Sequence, residues 1–383
     1  MNDNLIIQTE YYNHLDIDAF SRMLKDPSYC YKFYWLEAIV ELISGGRESA
    51  TFDEIITEMI INAWYSVVEF HIHLSGLVEG VSRDGLERAV NVLAELTNLS
   101  SNSSKVEIRN QIIEHSSELR EAKKQLTNMV PYRALAGFFE KYSNTVPWDS
   151  VTRIVEYANL FNERIEALPY TYDLNPGLKK RVTFNKDWMQ LIQDNTVNIL
   201  GWIQFEKLKW LQMNNPEVPG LVYKLKALDD KNRKLEHVRT LWKGILSLHG
   251  INDVFTNEPI DPAGFDVDHF IPFSFVMNDE LWNLMPMDSS LNSAKSNLLP
   301  KWDGYFELFA KNQFKLYEDI HQYDGIRNLY EKCYKDNLHS IWASQELYRK
   351  GNSKEEFINI LEKNMRPIYD SAKRQGYAIW SRR

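Results

Sequence analysis

Residues Phe265 to Pro300 read FDVDHFIPFSFVMNDELWNLMPMDSSLNSAKSNLLP. Asp268 and His269 stand side by side, Asn283 follows fourteen residues after His269, Asn292 twenty-three after it, and Lys295 three beyond that. Cutting a phosphodiester requires a water made nucleophilic, a stabilised leaving oxygen and neutralised phosphate charge. A histidine, whose unperturbed pKa lies near neutrality, suits the part of general base, here His269. Asp268 and Asn292 offer two oxygen donors, a set that favours a hard cation, Mg²⁺ or Mn²⁺, over zinc. Lys295 lies one helical turn after Asn292 and so on the same face, where its charge can meet a phosphate oxygen. Asp266 either shapes the start of its strand or supports a neighbour.

The flanking residues suggest how these groups are carried. Val254–Ile260 and Phe265–Ile271 are β-prone runs joined by the turn-like Asp261-Pro262-Ala263-Gly264. Leu281–Met287 reads as another strand, and Ser289–Ser296 as a helix with Asp288 or Ser289 at its N-cap. In a regular strand Asp268 and His269 point to opposite sides. Trp282, beside Asn283, is expected to pack this region rather than to stack on a base.

This pattern resembles the ββα-metal finger of the HNH endonucleases, over about 50 residues near 250–300. Its motif and spacing are similar to the HNH domain of the RNA-guided CRISPR effector nucleases. It is closer still to stand-alone bacterial HNH proteins bearing a DELWNL…P…NSxKSNxLP segment, which are often associated with defence against phage. The resemblance implies that Asp268 and His269 act together where the chain leaves the pleat at the strand end. It implies that Asn283 ties down the intervening loop and orients His269 without binding metal. It implies products with 5′-phosphate and 3′-hydroxyl ends. Some family members carry His where this chain has Asn292.

Working outward, the remaining sequence is that of a globular chain. At 383 residues it has room for two or three domains, and 11 Trp, 20 Tyr and 18 Phe argue against general disorder. The two cysteines, Cys30 and Cys333, are too few for a disulfide framework or a four-Cys zinc site, so no structural zinc is expected. The start MNDNLIIQTE does not read as a signal peptide. The apolar runs Phe33–Ile43 and Ile55–Phe70 are interrupted by glutamates and do not read as membrane spans. A cytoplasmic, prokaryotic protein is expected.

Charge is unevenly placed. Residues 1–170 carry 25 acidic and 15 basic side chains, a net −10, whereas 171–383 carry 28 and 29, a net +1. Proteins gain most nonspecific nucleic-acid affinity by neutralising phosphates, so the acidic half suits a partner, an oligomer contact or a trigger better than DNA. Lys231, Arg233, Lys234, Arg239 and Lys243 precede the finger and could track a nucleic-acid backbone or form a solvated helix face. His71 and His73 alternate in the first half, where structural roles are favoured over metal binding.

The expected fold is mainly α: a helical domain over 1–165, a mixed connecting region over 166–245, the finger over 246–300, and helices over 301–383. Thr51 and Glu54 have capping-box spacing ahead of a wide apolar stripe, a helix buried at its domain centre with Phe33–Ile43 as partner. Asn98–Ser104 reads as a loop, and one amphipathic helix is expected from there to Pro131. Arg181–Phe184 suggests a hairpin strand, followed by helical runs around Trp188–Ile199, Ile203–Met213 and 228–246. The expected function is divalent-metal-dependent endonuclease activity, on DNA with RNA as a further candidate, in anti-phage defence. A mobile-element nuclease and a noncatalytic finger that binds nucleic acid or a partner are the rival readings.

Overall fold

The computed structural model describes residues 5, 7–24, 27, 29–128, 130–142, 151–162, 168–225 and 233–380. The fold is mainly α. It divides into two compact units, Met1–Pro216 with Lys224–Ala227, and Glu217–Tyr223 with Leu228–Arg383. The stretch 166–245 is therefore shared between them, while 246–300 and 301–383 contribute to one hydrophobic core.

In the first unit the helix Phe52–Phe70 is buried along most of its length and packs on the helix Tyr31–Ser44. Its start carries the full capping box: Glu54 N–H donates to Thr51 Oγ1 at 3.2 Å, and Thr51 N–H donates to Glu54 Oε2 at 2.7 Å. A three-stranded antiparallel sheet flanks it, β1 (Ser49–Thr51), β2 (Tyr170–Tyr172) and β3 (Arg181–Phe184), in the order β1-β3-β2. The helix expected to run on to Pro131 is broken at His115 into Lys105–Glu114 and Ser116–Thr127. The break leaves Ile113 65% exposed, outside the apolar stripe that suggested a single helix. Likewise the later pair divides at Asn195, into Lys186–Asp194 and Thr196–Asn214.

The second unit is organised around a two-stranded antiparallel ribbon, β4 (Asp266–His269) and β5 (Leu284–Met287), in the register Asp266↔Met287 to His269↔Leu284. β4 alternates, with Val267 and His269 buried and Asp266 and Asp268 half-buried. β5 is buried throughout because helices cover it: Gln313, from the helix Trp302–Gln322, donates through Nε2 to the Leu284 carbonyl at 2.8 Å. Pro286 is tolerated in this short two-stranded ribbon, where few ladder donors are needed. The helix Glu236–Leu248 contributes Val238, Leu241, Trp242 and Ile245 to the same core.

The run Val254–Ile260 is not a strand, which corrects the expected first β element. Asp253 explains why. Its Oδ1 accepts from the backbone of Phe255 at 2.8 Å and of Thr256 at 3.1 Å, winding the chain into a turn that competes with a ladder. Its Oδ2 accepts from Asp288 N–H at 3.1 Å, which fixes the loop to the cap of the following helix. That helix, Ser289–Lys295, is N-capped by Asp288, the first of the two candidates, through Ser290 N–H at 2.8 Å and Leu291 N–H at 3.4 Å. β6 (Leu299–Pro300) then pairs in parallel with β7 (Ile379–Trp380).

Phe270, directly after His269, is fully buried and stacks on Phe309 with ring centroids 4.5 Å apart. Replacing Phe270 with Ala should cost about 3–5 kcal/mol. Urea denaturation is expected to show the second unit unfolding at a much lower midpoint, with a smaller loss for Phe270→Leu.

Candidate active site

The alternation along β4 sorts its polar side chains by face. Asp266 and Asp268 look toward the helix Ser289–Lys295, and two residues of that helix meet them. Lys295 Nζ donates to Asp268 Oδ2 at 2.8 Å, and Asn292 Nδ2 donates to Asp266 Oδ2 at 3.3 Å. Lys295 is fully buried rather than presented outward, so its charge meets a carboxylate instead of the open surface. Burial pushes the Asp268 carboxyl up, but the Lys295 ammonium beside it outweighs this and holds it well below the usual carboxylate range. Asp268 is therefore ionised, and its side chain is still 16% exposed.

His269 occupies the opposite face, at the last residue of β4, and its side chain is fully buried. Nε2 lies 3.0 Å from the Asn278 carbonyl oxygen and 3.1 Å from Asp279 Oδ1. Two acceptors there require Nε2 to carry the ring proton, so Nδ1 presents a lone pair. Nδ1 lies 3.9 Å from Asp268 Oδ1 and 3.2 Å from Arg233 Nη2, which donates to it. The turn of the pleat at the strand end thus brings an alternating pair to one place. Arg233 also pairs with Asp279 Oδ1 at 3.1 Å, and its guanidinium sits 4.6 Å from the Phe273 ring centroid. Burial pushes the Asp279 carboxyl up, but His269 and Arg233 hold it below its ordinary value.

Asn283 is fully buried and clasps the loop that follows His269. Its Oδ1 accepts from Ile271 N–H and its Nδ2 donates to the Ile271 carbonyl, both at 2.8 Å. The Asn283 carbonyl accepts from Phe270 N–H at 2.8 Å. Trp282 is buried too, donating through Nε1 to Glu280 at 3.1 Å and Ser340 at 3.2 Å.

The basic residues ahead of the ribbon have separate fates. Lys231 lies outside the described residues. Lys234 pairs with Asp336 at 2.8 Å, Arg239 reaches Asp266 at 3.4 Å and the Phe265 carbonyl, and Lys243 is exposed on the helix Glu236–Leu248. Exposed pairs of this kind are weak and exchange readily for phosphate. Sequence reasoning passed over Asp279, whose only signal was its place in an acidic loop ten residues past the His269 it meets. In the first unit His73 Nδ1 lies 2.9 Å from Glu87, and His71 caps the helix Phe52–Phe70 in a left-handed conformation. Among the described residues no group of three or more His, Cys, Asp or Glu side chains is arranged to hold a metal ion.

His269 Nδ1 and the ionised Asp268 carboxylate lie 3.9 Å apart, with Arg233 donating to that nitrogen. Residues 253–301 match the family model described as HNH endonuclease. No curated protein and no solved structure matches the chain significantly. Replacing Asn283 with Ala strands a buried N–H and a buried carbonyl at Ile271, and should cost about 3 kcal/mol. Chemical denaturation of the purified variant, with Asn283→Asp retaining only the acceptor, measures that cost.

Proposed function

We propose that the HNH endonuclease domain carried by this chain makes it a divalent-metal-dependent DNA endonuclease, with His269 as general base. The observation that carries this reading is the tautomer of His269: both acceptors lie at Nε2, so Nδ1 carries the lone pair, on the side of Asp268, where Arg233 donates to it. Endonuclease activity on nucleic acid follows from the domain itself.

Asp268 and Asn292 would hold the cation. The donor set fits a hard metal: an ionised, part-exposed carboxylate and a neutral amide whose Nδ2 is turned to Asp266. With two protein donors, the remaining positions would fall to water and phosphate, which suits Mg²⁺ or Mn²⁺. When bound, such an ion neutralises phosphate charge and stabilises the leaving oxygen. Lys295 holds the Asp268 carboxylate in place, and Asn283 fixes the loop from which Asn278 and Asp279 orient His269. His269 Nδ1 takes a proton from water as the water oxygen bonds to phosphorus. The bond from phosphorus to the 3′ oxygen breaks, that oxygen takes a proton from solvent, and the products are a 5′-phosphate and a 3′-hydroxyl. The imidazolium then returns its proton to water. Lys234, Arg239 and Lys243 would lie along the substrate backbone.

The biological setting proposed is prokaryotic anti-phage defence, with the acidic first half recognising a partner or trigger. The charge split and the family likeness motivate it. Loss of phage protection in cells carrying His269→Ala, against protection by the wild type, is the expected result; equal plaque counts would reject this role.

Plasmid DNA with Mg²⁺ or Mn²⁺ should be nicked or linearised, and EDTA should stop it. His269→Ala should lower the rate by about 10²–10⁴-fold, read from agarose gels. Metal-independent cleavage, or cleavage untouched by the substitution, would reject the assignment.

A further inference from the structure

The nitrogen that has to accept a proton is already occupied. His269 is fully buried, and the only side chain donating to Nδ1 among the described residues is Arg233, from the stretch ahead of the helix Glu236–Leu248. Arg233 is itself 34% exposed, so it is the solvent-facing cover over an inaccessible imidazole. A guanidinium there competes directly with water for the lone pair. It is held by Asp279, through Nη2 at 3.1 Å and Nε at 3.3 Å, and by the face of Phe273.

We propose that Arg233 is a phosphate-binding residue that caps His269 Nδ1 in the free enzyme and uncovers it when the nucleic-acid backbone arrives. Guanidinium groups bind phosphate with two parallel N–H bonds, a stronger arrangement than the single N–H it now spends on the imidazole. Half of its present hold, the ion pair to Asp279, is part-exposed and modest in strength. A phosphodiester at the site therefore draws the guanidinium outward, leaves the Nδ1 lone pair to water, and adds a positive charge to the substrate. Asp279 stays on Nε2 throughout, so the imidazole keeps its tautomer while its cover moves. Arg233 lies outside residues 253–301, so the family match does not include it.

The inference rests on His269 being the base, and its test does not. Diethyl pyrocarbonate reacts with an unprotonated imidazole nitrogen, so its rate at His269 reports the cover. Full-length wild type, Arg233→Gln and Arg233→Lys would be labelled without DNA and the His269 peptide quantified by mass spectrometry. Binding of a short DNA duplex would be followed in EDTA between 50 and 200 mM salt. Arg233→Gln should label at least about five-fold faster, and its slope of log affinity against log salt should shrink by about 0.9, one phosphate contact. Arg233→Lys should keep the wild-type slope, because its charge remains. Unchanged labelling in Arg233→Gln overturns the cover, and an unchanged slope overturns the phosphate contact; either outcome rejects the proposal. If both shifts appear while His269→Ala still cuts DNA, the assignment of the base has failed and the role of Arg233 stands.

Discussion

The buried pair of Lys295 and Asp268 is the constraint on which the site depends. A lysine with no exposed surface has been stripped of its hydration, a cost of several kcal/mol that only a close carboxylate offsets. The helix Ser289–Lys295 therefore cannot drift along β4 without stranding a charge. That anchorage fixes where Asn292 meets Asp266, and so where two oxygen-bearing side chains face one another across strand and helix. Such a pair contributes little net stability compared with apolar residues of the same volume. Its contribution is register, and register is what a reaction centre of three or four side chains requires.

The two faces of β4 divide the labour. One face is committed to the helix, through carboxylates met by an amide and an ammonium. The other is committed to a loop, whose carbonyl and carboxylate set the tautomer of His269. Asn283 joins the two halves, since it immediately precedes the return strand and also clasps the chain just past the imidazole. The imidazole is thus placed by hydrogen bonds on both sides, to the Asn278 carbonyl and Asp279 at Nε2 and from Arg233 at Nδ1, rather than by packing alone.

Much of this was legible before any coordinates. The capping box at Thr51 and Glu54, the cap at Asp288 and the spacing of Asp268, His269, Asn283 and Asn292 are local patterns, and local patterns survive in a sequence. Val254–Ile260 misled because its β-branched and aromatic residues outweigh, in any propensity count, the single Asp253 that turns the chain. His115 and Asn195 interrupt helices whose apolar rhythm continues across them, so periodicity could not locate the breaks. Lys295 reads as a surface charge, and only the position of β4 turns it inward. Arg233 and Asp279 were invisible as a pair, because residues 46 apart meet only after the ribbon and the helices have packed.

The parallel pairing of β6 with β7 carries a consequence for synthesis. Leu299 and Ile379 are eighty residues apart, yet they are neighbours in the finished structure, and Tyr369 donates to the Pro300 carbonyl at 2.8 Å. The strand that closes the end of the ββα segment thus waits for a partner not yet synthesised when the segment itself emerges. At translation rates of about 5–20 residues per second, that delay is about 4–16 seconds. A nascent chain bearing every residue of the proposed reaction centre is still without the strand that completes its neighbourhood. Long-range closure of this kind acts as a timer, set by distance along the message.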